Sequence, residues 1–328
     1  MLDYLALRKF VSPEYYDMFM DAYVHGRQAE KTSHPFYTQW MSHKMIHSFE
    51  VLDVGLLILR KDPALRHLPQ DIKQDFADAL LMHDLSRAFE IDPDTGKDIL
   101  PNHGADAAKQ LYKNGVRSIN ILLPVLMHDR LEDDLLHLPT DALDPVLSGN
   151  DPETLQVAKE ILHQYHALPK EQRETAYKGM WLVKDADRLA NIMTIDRLVP
   201  FFMNGLKNHE AAVSQPMAAA FLSTDGIVTR NAISTMPDHI PHLFSWMRSM
   251  YFPYSFKLAL QEELPKRVFN TIVKEAEKLP IKPHFKQQVQ QLKKFLSLTE
   301  ERLKQRAGGF VFSIPFYSPL RMSTLAAA

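Results

Sequence analysis

The chain has 328 residues, 45% of them hydrophobic and 24% charged, enough to bury a core in one large domain or two modest ones. It contains no cysteine, which excludes disulfides, thiolate nucleophiles and sulfur-held metals, so any metal must be held by nitrogen and oxygen. A formal net charge of -2, with no dominant Lys or Arg block, removes the electrostatic footprint of a duplex nucleic-acid binder and leaves room for a small anionic substrate held by a local cationic cluster.

Few glycines, apolar residues spaced at three and four, and little strict alternation predict an all-α protein nearly free of strands. In chain order, Pro13 to Glu30 carries Tyr16, Phe19, Met20 and Tyr23 on one side of an amphipathic helix. A longer helix from Phe36 to about Arg60 puts His43 and His47 on a shared face. Asp71 to Phe89 reads as one helix with Phe76, Ala79, Leu80 and His83 on its apolar side, and Asp92 to Asn102 as a loop on the rim of a pocket. A helix from His103 to Tyr112 leads through Asn114-Gly115 into Ile119 to His128, where Pro124 is expected to kink the helix or shift its start. Asp133 to Asn150 is irregular, and helices resume at Pro152 to Tyr165 and Tyr177 to Arg197.

Beyond about Pro200 the sequence becomes Met-rich and aromatic and closes on a polar helix near Lys282 to Gln305. The division expected is an N-terminal helical segment over 1–35, a metal-binding domain over 36–200 and a helical extension over 201–328 that packs on it, with no flexible linker between them. The Met and aromatic residues of Phe244 to Phe256 are expected in the core. No apolar run is long enough to cross a membrane, and MLDYLALRKF lacks the features of a secretory signal, so a soluble, cytoplasmic protein without a membrane partner is expected. The oligomeric state is left open, a homo-oligomer included.

The chemistry lies in a histidine-aspartate doublet, His83-Asp84 in LLMHDLSR. On a helix such neighbours diverge by about 100°, so both side chains can reach metals lying beside it. A lone histidine precedes it, His47 in HSFEVL, and a helical aspartate follows it, Asp187 in KDADRLAN. Between them lie His103 in PNHGADAA and His128 in LLPVLMHD, the latter within a second copy of the tetrapeptide LMHD. Over roughly Phe36 to Leu198 these pieces resemble the HD superfamily of metal-dependent phosphohydrolases in its dinuclear form. One departure is Glu50, which stands where the family's first motif carries arginine.

The resemblance implies an HD-type helical bundle and two divalent transition-metal ions, iron or manganese first, with zinc, cobalt or nickel also suited to such ligands. It assigns one metal to His47, His83, Asp84 and Asp187, and the other to Asp84, His103 and His128, with Asp84 bridging. The implied reaction is cleavage of a phosphate ester of a small molecule or nucleotide by a metal-bridging hydroxide. Asp84, Arg87 and Asp187 are its expected catalytic residues. Arg87 is placed to neutralise a phosphate, with Lys184, Arg188 and Arg130 as weaker candidates.

Other readings stand beside this one. A mononuclear site could use His103, His128-Asp129 and Asp187. The same ligands serve a mixed-valence di-iron oxygenase in some HD-fold proteins, and a non-catalytic regulatory protein could keep the metal. His43 is expected to neighbour the site, Asn191 to share a face with Asp187, and Asp185 to be solvated or a supporting carboxylate. DPDTGKD is read as a turn, since His103 stands where a calcium loop needs glutamate. The pairs His163 with His166 and His239 with His242 are expected at the surface.

Overall fold

The computed structural model describes residues 4–28, 35–89, 102–129, 136, 151–204, 210–215, 217, 228, 233–281 and 283–308. Among them the chain is all-α, with one isolated bridge between Ala211 and Ile281 and no strand. The N-terminal part runs α1 (Tyr4–Leu7), α2 (Pro13–Gln28), α3 (Pro35–Lys61), α4 (Gln70–Met82), a 3-10 turn (Leu85–Phe89), α5 (His103–Lys113), α6 (Ile119–Met127), α7 (Pro152–Ala167), α8 (Lys170–Met193) and α9 (Ile195–Asn204). The C-terminal part adds α10 (His239–Arg248), α11 (Pro253–Gln261), α12 (Leu264–Ala276) and α13 (Phe285–Ala307).

Helix α8 is the axis of the N-terminal part and packs most extensively on α6 and α3, while α4 bridges α3 and α6. It begins earlier than expected, at Lys170, and stops at Met193 before a new helix starts at Ile195. Its apolar stripe is continuous: Met180, Leu182, Val183, Ala186 and Leu189 are fully buried. Gly179 permits the close crossing with α4, because a Cβ there would lie 2.4 Å from the buried Phe76 ring. Phe19 and Tyr23 of α2 enter the same core, as their spacing predicted.

Helix α4 is shorter than expected. It ends at Met82, so His83 and Asp84 sit in the turn before the 3-10 segment and not within a helix. Pro124 neither breaks α6 nor shifts its start; it lies inside the helix, buried in an entirely apolar stretch. Phe244, Phe252 and Phe256 are core residues, as are Met247 and Met250.

The C-terminal helices dock on α8 and α3 through carboxylates. Asp185, fully buried on α8, accepts the Tyr251 and Phe252 N–H groups, and Asp62 at the end of α3 accepts that of Tyr254. Together they satisfy donors at the start of α11, which a helix N-terminus leaves without intrahelical acceptors. Asp185 is therefore neither solvated nor a support for Asp187; it fastens the C-terminal region to α8. Burial raises its pKa to about 6, against the opposing effect of those backbone donors.

Candidate metal centre

Two helix ends and two helix bodies converge on one point. In both copies of LMHD the helix stops at the methionine and the histidine caps it: His83 follows α4 and His128 follows α6. Each ring makes the same local bond, Nδ1 donating to the carbonyl three residues earlier, Leu80 at 2.9 Å and Val125 at 2.8 Å. That bond fixes the tautomer and leaves a lone pair on Nε2, as in histidines that bind metals. Both Nε2 atoms are buried without a hydrogen-bond partner. The repeated tetrapeptide is thus a repeated device for presenting Nε2 at a helix C-terminus, where the helix dipole also favours a cation.

Asp84 is the hub. Its Oδ1 lies 3.3 Å from His128 Nε2 and 3.5 Å from His103 Nε2; its Oδ2 lies 3.6 Å from His83 Nε2 and 4.0 Å from His47 Nε2. Asp187 closes the second side, with Oδ1 2.8 Å from His47 Nε2 and 3.9 Å from His83 Nε2. Two groups of donor atoms result, His47, His83 and Asp84, and Asp84, His103 and His128, each contained within 4.8 Å. All six residues expected as ligands are brought together. The donor set fits divalent transition metals: imidazole nitrogens and carboxylate oxygens, orphaned lone pairs, and a carboxylate with one oxygen for each group.

Supporting contacts hold this geometry. Asn191, one turn after Asp187, donates to its Oδ1 at 2.8 Å, as their shared face anticipated. His103 opens α5, and Asp129 fixes it by accepting the Gly104 N–H at 3.2 Å with its Oδ2 3.6 Å from His103 Nδ1. Gly104 is required there, since a Cβ would lie 2.9 Å from the Val125 carbonyl and from Asp129 Oδ1. Asp129 thus orients His103 from behind and belongs to neither donor group, which disfavours the mononuclear arrangement built on it. His43 is a neighbour, its ring stacked 6.2 Å from that of His47. Glu50, on the same helix, pairs with Arg197 of α9.

The electrostatics suit metal ligation. Burial lowers the pKa of His83 to about 4 and, with Arg87 adding to it, holds that of His103 well below the ordinary value, so both rings are neutral. Burial would raise Asp84, but Lys44, His83 and Arg87 outweigh it and keep the carboxylate ionised. His128 is the exception: burial opposes its charge, yet Asp84 and Asp129 raise its pKa. The cluster opens at Asp187, 21% exposed, and at His103 and Arg87, both 15%, while Asp84 and His83 are sealed.

The cationic candidates divide. Arg87 is at the site, with Nε 3.4 Å from Asp84 Oδ1 and Nη2 3.2 Å from His103 Nε2. Arg188 is not: it is buried and donates to the Ser249 carbonyl and hydroxyl at 3.2 Å. Lys184 is fully buried with its ammonium 5.1 Å from the Trp181 ring, so it too is built into the packing and not presented to a substrate. Arg130, Asp92 to Pro101 and DPDTGKD lie outside the described residues. Sequence reasoning missed Lys44, whose Nζ lies 3.3 Å from Asp84 Oδ2; its place one turn before His47 on the same helix was the available signal. His163 and His166 are exposed as expected, but His239 and His242 are buried, His242 donating from Nδ1 to the Val228 carbonyl at 2.6 Å.

No family model, curated protein or solved structure matches the chain.

Proposed function

We propose that this protein is a dinuclear metal-dependent phosphohydrolase of the HD type, acting on a phosphate ester of a small molecule or nucleotide. The observation that carries the reading is the sharing of Asp84, whose two oxygens face two separate histidine groups. His47, His83, Asp84 and Asp187 would hold one ion and Asp84, His103 and His128 the other. Bound divalent cations of this kind supply Lewis acidity and a water activated near neutral pH.

The chain's own residues do the rest. Asp84 sets the spacing of the two groups and is kept ionised for that task. Asn191 and Asp129 orient Asp187 and His103, the two ligands nearest solvent. Arg87, at the same opening, is positioned to bind a phosphoryl oxygen. Charge balance favours such a substrate: Lys44 and Arg87 offset two of the three carboxylates Asp84, Asp187 and Asp129, so adding divalent cations leaves the pocket positive and suited to an anion.

The test is elemental analysis of protein purified without chelator, beside a phosphatase and nucleotide panel, repeated with His103→Ala. Two metals falling to one or fewer with loss of phosphate release supports the reading. A metal-free protein whose properties are indifferent to His83→Ala ends it, and oxygen uptake by the iron-loaded protein without phosphate release replaces it with an oxygenase.

A further inference from the structure

Resting on that reading, we infer that Lys44 is a second substrate clamp, stored on Asp84 in the metal-free protein and directed to the substrate phosphate when metals are bound. Lys44 lies one turn before His47 on α3 and is buried, 7% exposed, so its side chain points along the ligand face of the helix. Its ammonium contacts Asp84 Oδ2 at 3.3 Å, the same oxygen that faces His83 and His47. Arg87 does the equivalent at Oδ1, where His103 and His128 face it. Both oxygens of the hub are therefore met by a protein cation exactly where each donor group needs them.

A divalent ion and an ammonium beside one carboxylate oxygen repel each other strongly in a buried setting. Lys44 must then yield Asp84 Oδ2 when the His47 group is filled. An anion entering beside the metals restores the balance of charge around its ammonium. Two opposite effects on binding follow. Lys44 competes with the metal in the absence of substrate and strengthens phosphate binding once the metal is present. By linkage, phosphate tightens metal binding by the same factor that metal tightens phosphate.

The test is calorimetric titration of Mn(II) into the chelator-stripped full-length protein, and of inorganic phosphate into the Mn(II)-loaded protein, for wild type, Lys44→Met and Lys44→Arg. The methionine variant should bind Mn(II) about tenfold more tightly and phosphate about tenfold more weakly, a coupling of ordinary size. The arginine variant, which keeps the charge, should bind phosphate much as wild type does. Should Lys44→Met fail to give a helical circular dichroism spectrum, Lys44→Gln is read in the same way. Wild-type phosphate binding that is unchanged in the uncharged variant overturns the role of Lys44 alone. Mn(II)-loaded wild type that neither binds phosphate nor releases it from any ester overturns the phosphohydrolase reading and this inference with it.

Discussion

At the residue scale, the cluster around Asp84 depends on small backbone devices as much as on the side chains that form it. His83 and His128 need a helix that stops one residue before them, so that Nδ1 can reach back to the carbonyl at i-3 and Nε2 can face the hub. His103 needs the opposite device, a helix that starts at it, pressed so closely on the end of α6 that the next residue has no room for a side chain. Gly104→Ala should therefore disturb the proposed metal site more than the fold. The Val125 carbonyl cannot move aside as a side-chain tip could, so His103 must shift. Elemental analysis should show about one metal lost per chain, with helical circular dichroism retained and stability lowered by about 1–3 kcal/mol. Two metals bound with unchanged affinity would show that His103 does not depend on this contact.

At the element scale, α8 serves two neighbours at once. Its Asp187 faces the cluster of histidines around Asp84, and Asp185, two residues earlier and so on a different face, caps the start of α11. Removing that carboxylate leaves two buried N–H groups unsatisfied. Asp185→Ala should lower the stability of the C-terminal helices by about 2–4 kcal/mol, read as faster amide exchange across Pro253 to Gln261 and an earlier urea transition. Exchange unchanged in α11 would mean that apolar packing alone holds the region. The Asp62 bond to Tyr254 acts at the same helix start, so the two substitutions should not be additive.

At the scale of the whole molecule, two linkages tie stability to solution conditions. Asp78 of α4 is buried and accepts both the N–H and the hydroxyl of Ser12, fastening the N-terminal segment to the bundle. Burial nonetheless raises its folded pKa to about 6, above the ordinary carboxylate value of 3.8. A raised value means that the folded state holds the proton more tightly. The contribution is complete below pH 3.8 and is lost as pH rises through about 6. Relative to wild type, Asp78→Asn should gain stability between pH 4 and 7 by on the order of 1 kcal/mol. Urea midpoints at several pH values measure it, and a difference that is flat across the interval counts against it. The second linkage follows from the proposed metal binding: at a free concentration one hundred times the dissociation constant, each ion should add about 2.7 kcal/mol. Thermal unfolding with Mn(II) and then with excess chelator reads that gain, and His83→Ala should remove the share of it that belongs to the His47 group.

Fold class and the residues of the cluster were legible in the sequence because the one is a local property and the others lie in recognisable motifs in chain order. Apolar spacing marked α2, α3, α7 and α13 to within a few residues, and the motifs around His47, His83-Asp84, His103, His128 and Asp187 named the histidines and aspartates that cluster around Asp84, though not Lys44 beside them. Helix ends were less legible, since the turn at His83 is settled by where its ring finds partners and not by propensity. Roles set by long-range contact were not legible at all. Lys44 and Arg188 are cations of similar appearance in the sequence, yet one meets Asp84 and the other Ser249, and only the packing of α3, α8 and α10 separates them. The same holds for Asp185 and for the buried pair His239 and His242. Periodicity tells which face of a helix is apolar, but which buried polar group meets which partner depends on how the helices cross, and that the tertiary structure decided.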